Sequence, residues 1–401
     1  MAMVLAVLLP ASSMTSCGSG EPKETKSETN TPDTMIVETK VPDTASAETY
    51  SPETEGPSLS YDPSVITENG IAKAHIVLLD GAAQAEKIGA EELQYHIKKV
   101  SNAEVPILIG DEALVRNADI AATNETAKDS LPIIIATPTS LPALEELFPE
   151  DLNWLRTLKE ENSNTEYSDD GFAIRAYNGK IYIFGAMAQG AMNGVYDFIE
   201  ENLGVIWIRG NDDIGLIYDD MPTVTVEKTD YREKSPLKLR AMTRYGGGTD
   251  LDDIYLRRNK SNYGCATGSA VWQMQDKMQK GLNTLNIECM VKHWIITSPI
   301  YDPNISEYWE TDEAGIHKTY ESSEHINYWS QLTADTIAAS VIQSLDSLAA
   351  AGFSLQYIAV SNEDKPRPTV YPEQTEPFEY APGQFISPDE AGCTGTVYFT
   401  L

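Results

Sequence analysis

The chain has 401 residues, 61 of them acidic and 29 basic, for a net charge of −32. That length exceeds one average domain. A surface this negative repels phosphate backbones and anionic membranes, and no run of lysine or arginine offers a local basic patch, so nucleic acid is not expected as a partner.

Residues 1–16 form an apolar segment too short to span a bilayer, ending in small residues directly before Cys17. Met14-Thr15-Ser16-Cys17 resembles a bacterial lipobox. The resemblance implies a lipoprotein signal peptide over 1–17, lipidation of the Cys17 thiol, and a membrane anchor holding the protein at the extracellular face of the cell membrane. Residues 18–61 are rich in Thr, Ser, Pro and Glu with almost no large apolar side chains, so they cannot bury a core and are expected to form a disordered linker. Within them Glu28-Thr29-x-x-Pro32-Asp33-Thr34 recurs at residues 38–44 and, with Glu53 in place of the aspartate, at 48–54, a pattern that suits neither helix nor strand. Proline and like charge extend such a tether.

Residues 62–235 have the pattern of an α/β domain. Apolar runs predict strands at 74–79, 105–109 and 132–136, and helical spacing predicts an amphipathic helix over 85–100. A helix-rich stretch containing Leu144, Leu147 and Trp154 follows. His75 and His96 stand alone on strand and helix, which marks them as structural. In residues 170–207 the punctuation is complete. Phe172, Ile174 and Ala176 alternate, Asn178-Gly179 suits a type I′ turn, and Ile181, Ile183 and Gly185 alternate on the return. Met192, Val195, Phe198 and Ile199 then fall at helical spacing, Gly204 sits where a left-handed cap belongs, and an apolar strand resumes at 205. The unit is strand, strand, helix, strand.

With its tyrosine-containing helix and its Leu203-Gly204-Val205-Ile206-Trp207 exit, this unit resembles the amino-terminal domain that precedes the catalytic barrel of family 67 glycoside hydrolases, the α-glucuronidases. The same domain precedes the barrel of a family known as domain of unknown function 4838, which the later sequence also resembles. Both resemblances imply a sugar-processing barrel downstream.

From residue 236 short apolar runs alternate with long helices, the rhythm of a (β/α) barrel. A strand is expected at 237–242, emptying into Thr243-Arg244-Tyr245 and three glycines. A helix over 274–280 leads to a strand at 285–291 that ends at Lys292-His293-Trp294. An amphipathic helix over 334–350 feeds a strand at 355–360, which ends at Ser361-Asn362-Glu363-Asp364. A closed barrel takes about 250 residues, more than residues 236–401 supply. The expected fold class is therefore α/β, an N-terminal α/β sandwich domain followed by a truncated (β/α)8 TIM-type barrel, and the chain is expected to be a fragment of a longer product.

Barrel enzymes keep their chemistry at the carboxyl ends of the strands. Residues 359–371, AVSNEDKPRPTVY, resemble the family 67 segment in which a serine-glutamate pair precedes two spaced prolines. In that family the glutamate is the general acid, which implies the role for Glu363, with Pro366 and Pro368 at the matching prolines. A strand-end carboxyl partly buried by such a loop is expected to have a raised pKa, suited to protonating a glycosidic oxygen. Asp364 and Arg367 replace family glycines, so the substrate is left open. Arg244 is a candidate partner for a substrate carboxylate and His293 a hydrogen-bond donor, with Asn362 and Asp364 flanking the acid. Trp272, Trp294, Trp309 and Trp329 fall in loops and strand ends, and one or two of them, Trp294 first, are expected to stack on a sugar. Residues 300–316 resemble a segment of the second barrel family, without its histidine-proline pair.

Cys265, Cys289 and Cys393 have no metal-ligand spacing, and Gly246-Gly247-Gly248 lacks the lysine of a P-loop, so neither metal nor cofactor is expected. The sequence points to a cell-surface glycoside hydrolase acting on uronic-acid-bearing or related poly- or oligosaccharides. The alternative is a non-catalytic surface glycan-binding lipoprotein.

Overall fold

The computed structural model describes residues 59–111, 115, 129–161, 164–240, 250–262, 265–267, 271–282, 286–312, 314–353, 355, 357–363 and 377–387. Cys17, the repeat-bearing linker as far as residue 58, Arg244, the three glycines, Asp364, the spaced prolines and Cys393 lie outside them.

In chain order the first elements are β1 (Val65–Glu68), β2 (Ile71–Ala72), β3 (Ala74–Leu79), α1 (Gln84–Ser101), β4 (Ile107–Gly110) and β5 (Leu131–Ala136). Then come α2 (Leu144–Leu147), α3 (Pro149–Arg156), β6 (Phe172–Tyr177), β7 (Lys180–Gly185) and α4 (Ala188–Leu203). Next are β8 (Ile206–Trp207), α5 (Asp212–Gly215), β9 (Leu216–Ile217), β10 (Val224–Thr225) and β11 (Tyr231–Glu233). Six strands form one mixed sheet in the order β11-β6-β7-β5-β3-β4, in which β4, β3, β5 and β7 pair parallel and β6 alone runs against its neighbours, pairing antiparallel with both β7 and β11.

Both faces of this sheet are covered, and the strands show how. Ile76 and Leu78 of β3 join one core with Leu93 and Ile97 of α1 and Val195 and Phe198 of α4. Val77 and Leu79 join a second core with Leu144, Phe148 and Leu152. A strand buried on both sides reads as a nearly continuous apolar run, which is why residues 74–79 show no polar alternation, and the one polar side chain, His75, is bonded to Ser130. The result is a helix–sheet–helix sandwich.

The hairpin forms with Phe172 opposite Gly185 and Tyr177 opposite Lys180, turning at Asn178 (φ 48°) and Gly179 (φ 72°). Gly204 ends α4 at φ 66°, donating its N–H to the Glu200 carbonyl. Within α4, Gly190 and Gly194 let the helix close on the sheet. A Cβ on Gly190 would lie 2.1 Å from the Gly171 carbonyl oxygen, and one on Gly194 would lie 2.9 Å from Ile183.

The later elements are α6 (Asp250–Arg258), β12 (Cys265–Thr267), α7 (Val271–Gln279), β13 (Asn286–Met290), α8 (Val291–Ile296), α9 (Gln331–Ala350), β14 (Tyr357–Ser361), β15 (Phe378–Ala381) and β16 (Gln384–Ile386). β12, β13 and β14 form a parallel sheet, with Asn286 opposite Tyr357 and Met290 opposite Ser361. Its core joins Ile358 and Val360 to Ile337, Val341 and Leu348 of α9 and to Trp294 and Ile295 of α8.

Two expectations need correction. Residues 237–240 form no strand, because Arg240 is used as a bridge: its N–H donates to Asn262 Oδ1 at 2.7 Å, and its guanidinium reaches the Lys260 carbonyl and the Asp170 carboxylate. The strand at β13 also stops earlier than expected. Met290 is the extended N-cap of α8, so Lys292, His293 and Trp294 sit on a helical turn rather than a strand end.

Candidate functional site

At the carboxyl edge of the parallel sheet, β13 and β14 end in register and their following residues meet. The Glu363 Oε1 accepts the backbone N–H of Lys292 at 3.2 Å, in the first turn of α8. Glu363 and Asn362 are both half-buried. The Lys292 ammonium points the other way, donating to the carbonyls of Tyr320 at 3.1 Å and Ser323 at 2.6 Å and lying 4.8 Å from the centre of the Tyr320 ring. Lys292 thus ties the long segment between α8 and α9 to the strand edge that carries Glu363. Chemically this edge offers a carboxyl group at the mouth of a parallel sheet, anchored through one oxygen.

Of the residues singled out in the sequence, Asn362 and Glu363 come together at this edge. His293 is exposed on α8, and no hydrogen bond or ion pair joins it to Glu363 among the described residues. Trp294 is a core residue: its side chain is fully buried and its indole N–H donates to the Cys289 carbonyl at 3.1 Å, so it presents no face to a ligand. The cause is the helical turn at 291–296, which alternates exposed His293 with inward Trp294. Trp309 is buried as well, edge-on to Tyr308 at 6.2 Å. Trp272 is 67% exposed on α7, and Trp329, nearly buried, walls a cleft with Glu307, His317 and Asn327. Neither that cleft nor the tether made by Lys292 was read from the sequence. The acidic and aromatic run Glu307-Tyr308-Trp309-Glu310 was the available signal.

A larger cleft, of about 660 Å³, lies between α1, α6 and α7 and is lined by charge. Glu92 accepts from Arg257 at 2.7 Å and Arg258 at 3.0 Å, Arg258 also bonds Asp212 at 2.5 Å, and Arg257 donates to the Tyr196 hydroxyl at 2.7 Å. Burial and the Asp212 carboxylate together push the Tyr95 hydroxyl far up. Asp253 is held by Lys277 at 2.8 Å. These charges neutralise each other across the joint between the two sheets, which makes the cleft a staple rather than a receptor. Among the described residues, no group of three or more His, Cys, Asp or Glu side chains is placed to hold a metal ion.

No family model matches the chain, and no curated protein matches it. Among solved structures the chain is similar to CpGH84D, at 13% identity over 78% of this chain and 44% of that one, with a TM-score of 0.35. It is also similar to the GH115 4-O-methyl-α-glucuronidase BtGH115A, with specificity for decorated arabinogalactans, at 10% identity over 72% of this chain and 41% of that one, with a TM-score of 0.36. A mutant Streptomyces plicatus β-hexosaminidase in complex with its product GlcNAc matches at 11% identity over 77% of this chain and 60% of the other, with a TM-score of 0.32. All three are glycoside hydrolases. The chain spans between 41% and 60% of their lengths.

Proposed function

We propose that the chain belongs to a glycoside hydrolase acting on uronic-acid-bearing or related polysaccharides, with Glu363 as the general acid. The observation that carries this reading is the place of Glu363, half-buried directly beyond the carboxyl end of β14 and held through Oε1 by the Lys292 N–H. In the proposed step the Glu363 carboxylic acid protonates the glycosidic oxygen as the bond from that oxygen to the anomeric carbon breaks. A water then attacks the opposite face and gives its proton to a second carboxylate elsewhere in the complete polypeptide. Asn362 lies beside the acid, and Arg244 and Asp364 are proposed to contact the substrate. The motif ending at Cys17 supports an extracellular, lipid-anchored placement.

The test compares the complete polypeptide with its Glu363→Gln variant, assaying uronic acid released from glucuronoxylan fragments and a wider glycan panel. Glutamine keeps a carbonyl oxygen to accept the Lys292 N–H but cannot supply the proton. Hydrolysis should fall by about 10²–10⁴-fold while glycan binding persists. A second reading, a surface glycan-binding protein without catalysis, is favoured by the same 3.2 Å bond, since it makes Glu363 a cap for the first turn of α8. Equal binding by both proteins with no product from either would establish that reading instead.

A further inference from the structure

A second place in the molecule has the makings of a ligand site. The segment between α8 and α9 folds back on itself through bridges from Trp309 to Ile326 and from Thr311 to His317, and borders an open cleft of about 580 Å³. Asn304, Glu307, His317, Asn327, Trp329 and Ser330 line it. Its polar groups are unevenly satisfied. Asn327 is only 3% exposed, and its Oδ1 accepts the Trp329 N–H at 3.1 Å, which fixes the amide orientation and turns Nδ2, with its two hydrogens, away from that bond. No protein acceptor meets that NH2 among the described residues. Trp329 is 7% exposed, and its indole Nε1–H is buried without a partner. A buried donor left unmade costs about 1–3 kcal/mol, so the Trp329 N–H marks a place where something else supplies the acceptor, and Asn327, lining the same cleft, adds a second donor that is not itself a buried orphan.

The acceptors of the cleft are also fixed. Glu307 Oε1 accepts the Ser330 hydroxyl at 2.6 Å, and Ser330 in turn caps α9. His317 Nδ1 lies 2.7 Å from the Trp309 carbonyl, which can only accept, so the proton sits on Nδ1 and Nε2 of the neutral ring is an acceptor. Two donors, an acceptor nitrogen and a carboxylate on one concave wall complement vicinal hydroxyls, each of which donates and accepts. The Glu307 charge opposes an anionic ligand.

We propose that this cleft holds a neutral sugar ring of the glycan, with Asn327 and Trp329 donating to its oxygens and Glu307 and His317 accepting from its hydroxyls. The inference rests on the glycan-processing reading and adds to it a subsite that selects uncharged residues, separate from the acid.

The experiment is calorimetric titration of the protein with neutral tetrasaccharides of xylose, glucose, galactose, mannose and arabinose, with tetragalacturonate as the anionic control. Two variants preserve the local structure: Asn327→Asp keeps the oxygen that accepts the Trp329 N–H but loses both amide hydrogens, and Trp329→Phe keeps an aromatic wall but loses the indole N–H. At least one neutral tetrasaccharide should bind, tetragalacturonate at least about tenfold more weakly. Asn327→Asp should weaken binding by about tenfold or more, and Trp329→Phe by about three- to tenfold, with a melting temperature unchanged or higher because an unpartnered buried donor is gone. A purely structural Trp329 would leave binding unmoved. No binding of any neutral tetrasaccharide, or variants that bind as the wild type does, overturns the proposal. Hydrolysis abolished by Glu363→Gln with affinity untouched in both cleft variants would sink the subsite and leave the hydrolase. Weakened binding in those variants with no hydrolysis by any form would keep the subsite and remove the acid.

Discussion

Trp207 donates its indole N–H to Nε2 of His96 at 2.9 Å, while Nδ1 of the same ring meets the Glu92 carbonyl at 2.7 Å. The carbonyl must accept and the indole must donate, so the ring is neutral with its proton on Nδ1. His96 is fully buried, and desolvation pushes its pKa down to about 4. The pair fastens α1 to the strand that leaves α4, with Trp207 also edge-on to Tyr196 at 5.7 Å.

That neutrality sets a pH dependence. His75, 5% exposed and bonded to Ser130 Oγ at 2.8 Å, is likewise pushed down to about 4 by burial. Both folded pKa values lie below the unfolded value of about 6.5. As pH falls from about 6.5 towards 4 the unfolded chain takes up protons that the folded one refuses, so stability is lost on acidification. Each ring should cost about 2 kcal/mol by pH 5. Glu86, raised by burial, works in the opposite sense, so the measurement is a difference. Urea unfolding at pH 7.5 and pH 5 should show a fall in midpoint that is clearly smaller in His96→Gln. An identical pH response in wild type and variant would contradict the argument.

Much of the first sheet could be read from residues alone. The turn at Asn178-Gly179 and the left-handed Gly204 are local devices, and local devices do not depend on distant partners. β3 and β5 were recognisable because burial on both faces makes them nearly continuous apolar runs, His75 being the one polar side chain. The parallel sheet was legible in its helices and in β14, but its edge was not. Whether residues 237–240 extend depends on Asn262 and Asp170, far away in sequence, and tertiary hydrogen bonding outweighed an apolar pattern there. Trp294 was misplaced for a similar reason: β13 stops at Met290, and a helix starting one residue later turns the indole inward. Among the site residues Asn362 and Glu363 did fall at a strand end. The cleft at Asn327 escaped because its donors matter only through bonds they lack, which no spacing reveals.

Gly190→Ala tests the packing of the hairpin unit. Helix propensity alone would favour alanine by about 1 kcal/mol. The added Cβ would meet the Gly171 carbonyl oxygen at 2.1 Å, a backbone atom in the segment leading into β6 that cannot rotate aside. Overpacking of this kind costs about 1–3 kcal/mol or more, so sterics should win. The variant should unfold at lower urea by at least about 1 kcal/mol, whereas a stabilised Gly190→Ala would mean that α4 can lift off the sheet freely.

The staple at Glu92 joins the two sheets, and its removal should separate them. Glu92 lies on α1, Arg257 and Arg258 at the end of α6, and their side chains are 5–11% exposed. Losing one partner of a buried ion pair costs about 3–5 kcal/mol because the other charge is stranded. Glu92→Ala strands two guanidiniums, although Asp212 and the Tyr196 hydroxyl still bond them, so about 3 kcal/mol is expected. Replacing all three with Met and Leu removes the charges together and should cost much less. Calorimetry should therefore show one transition in the wild type. In Glu92→Ala a lower-melting step should appear, with loss of α6 to α9, ahead of the six-stranded sheet. The triple variant should melt as a unit again. A single transition in Glu92→Ala within about 0.5 kcal/mol of the wild type would mean that the remaining bonds across the joint, from Gln189 to the Gly281 carbonyl and from Arg240 and Lys260 to their carboxylates, hold it without the staple.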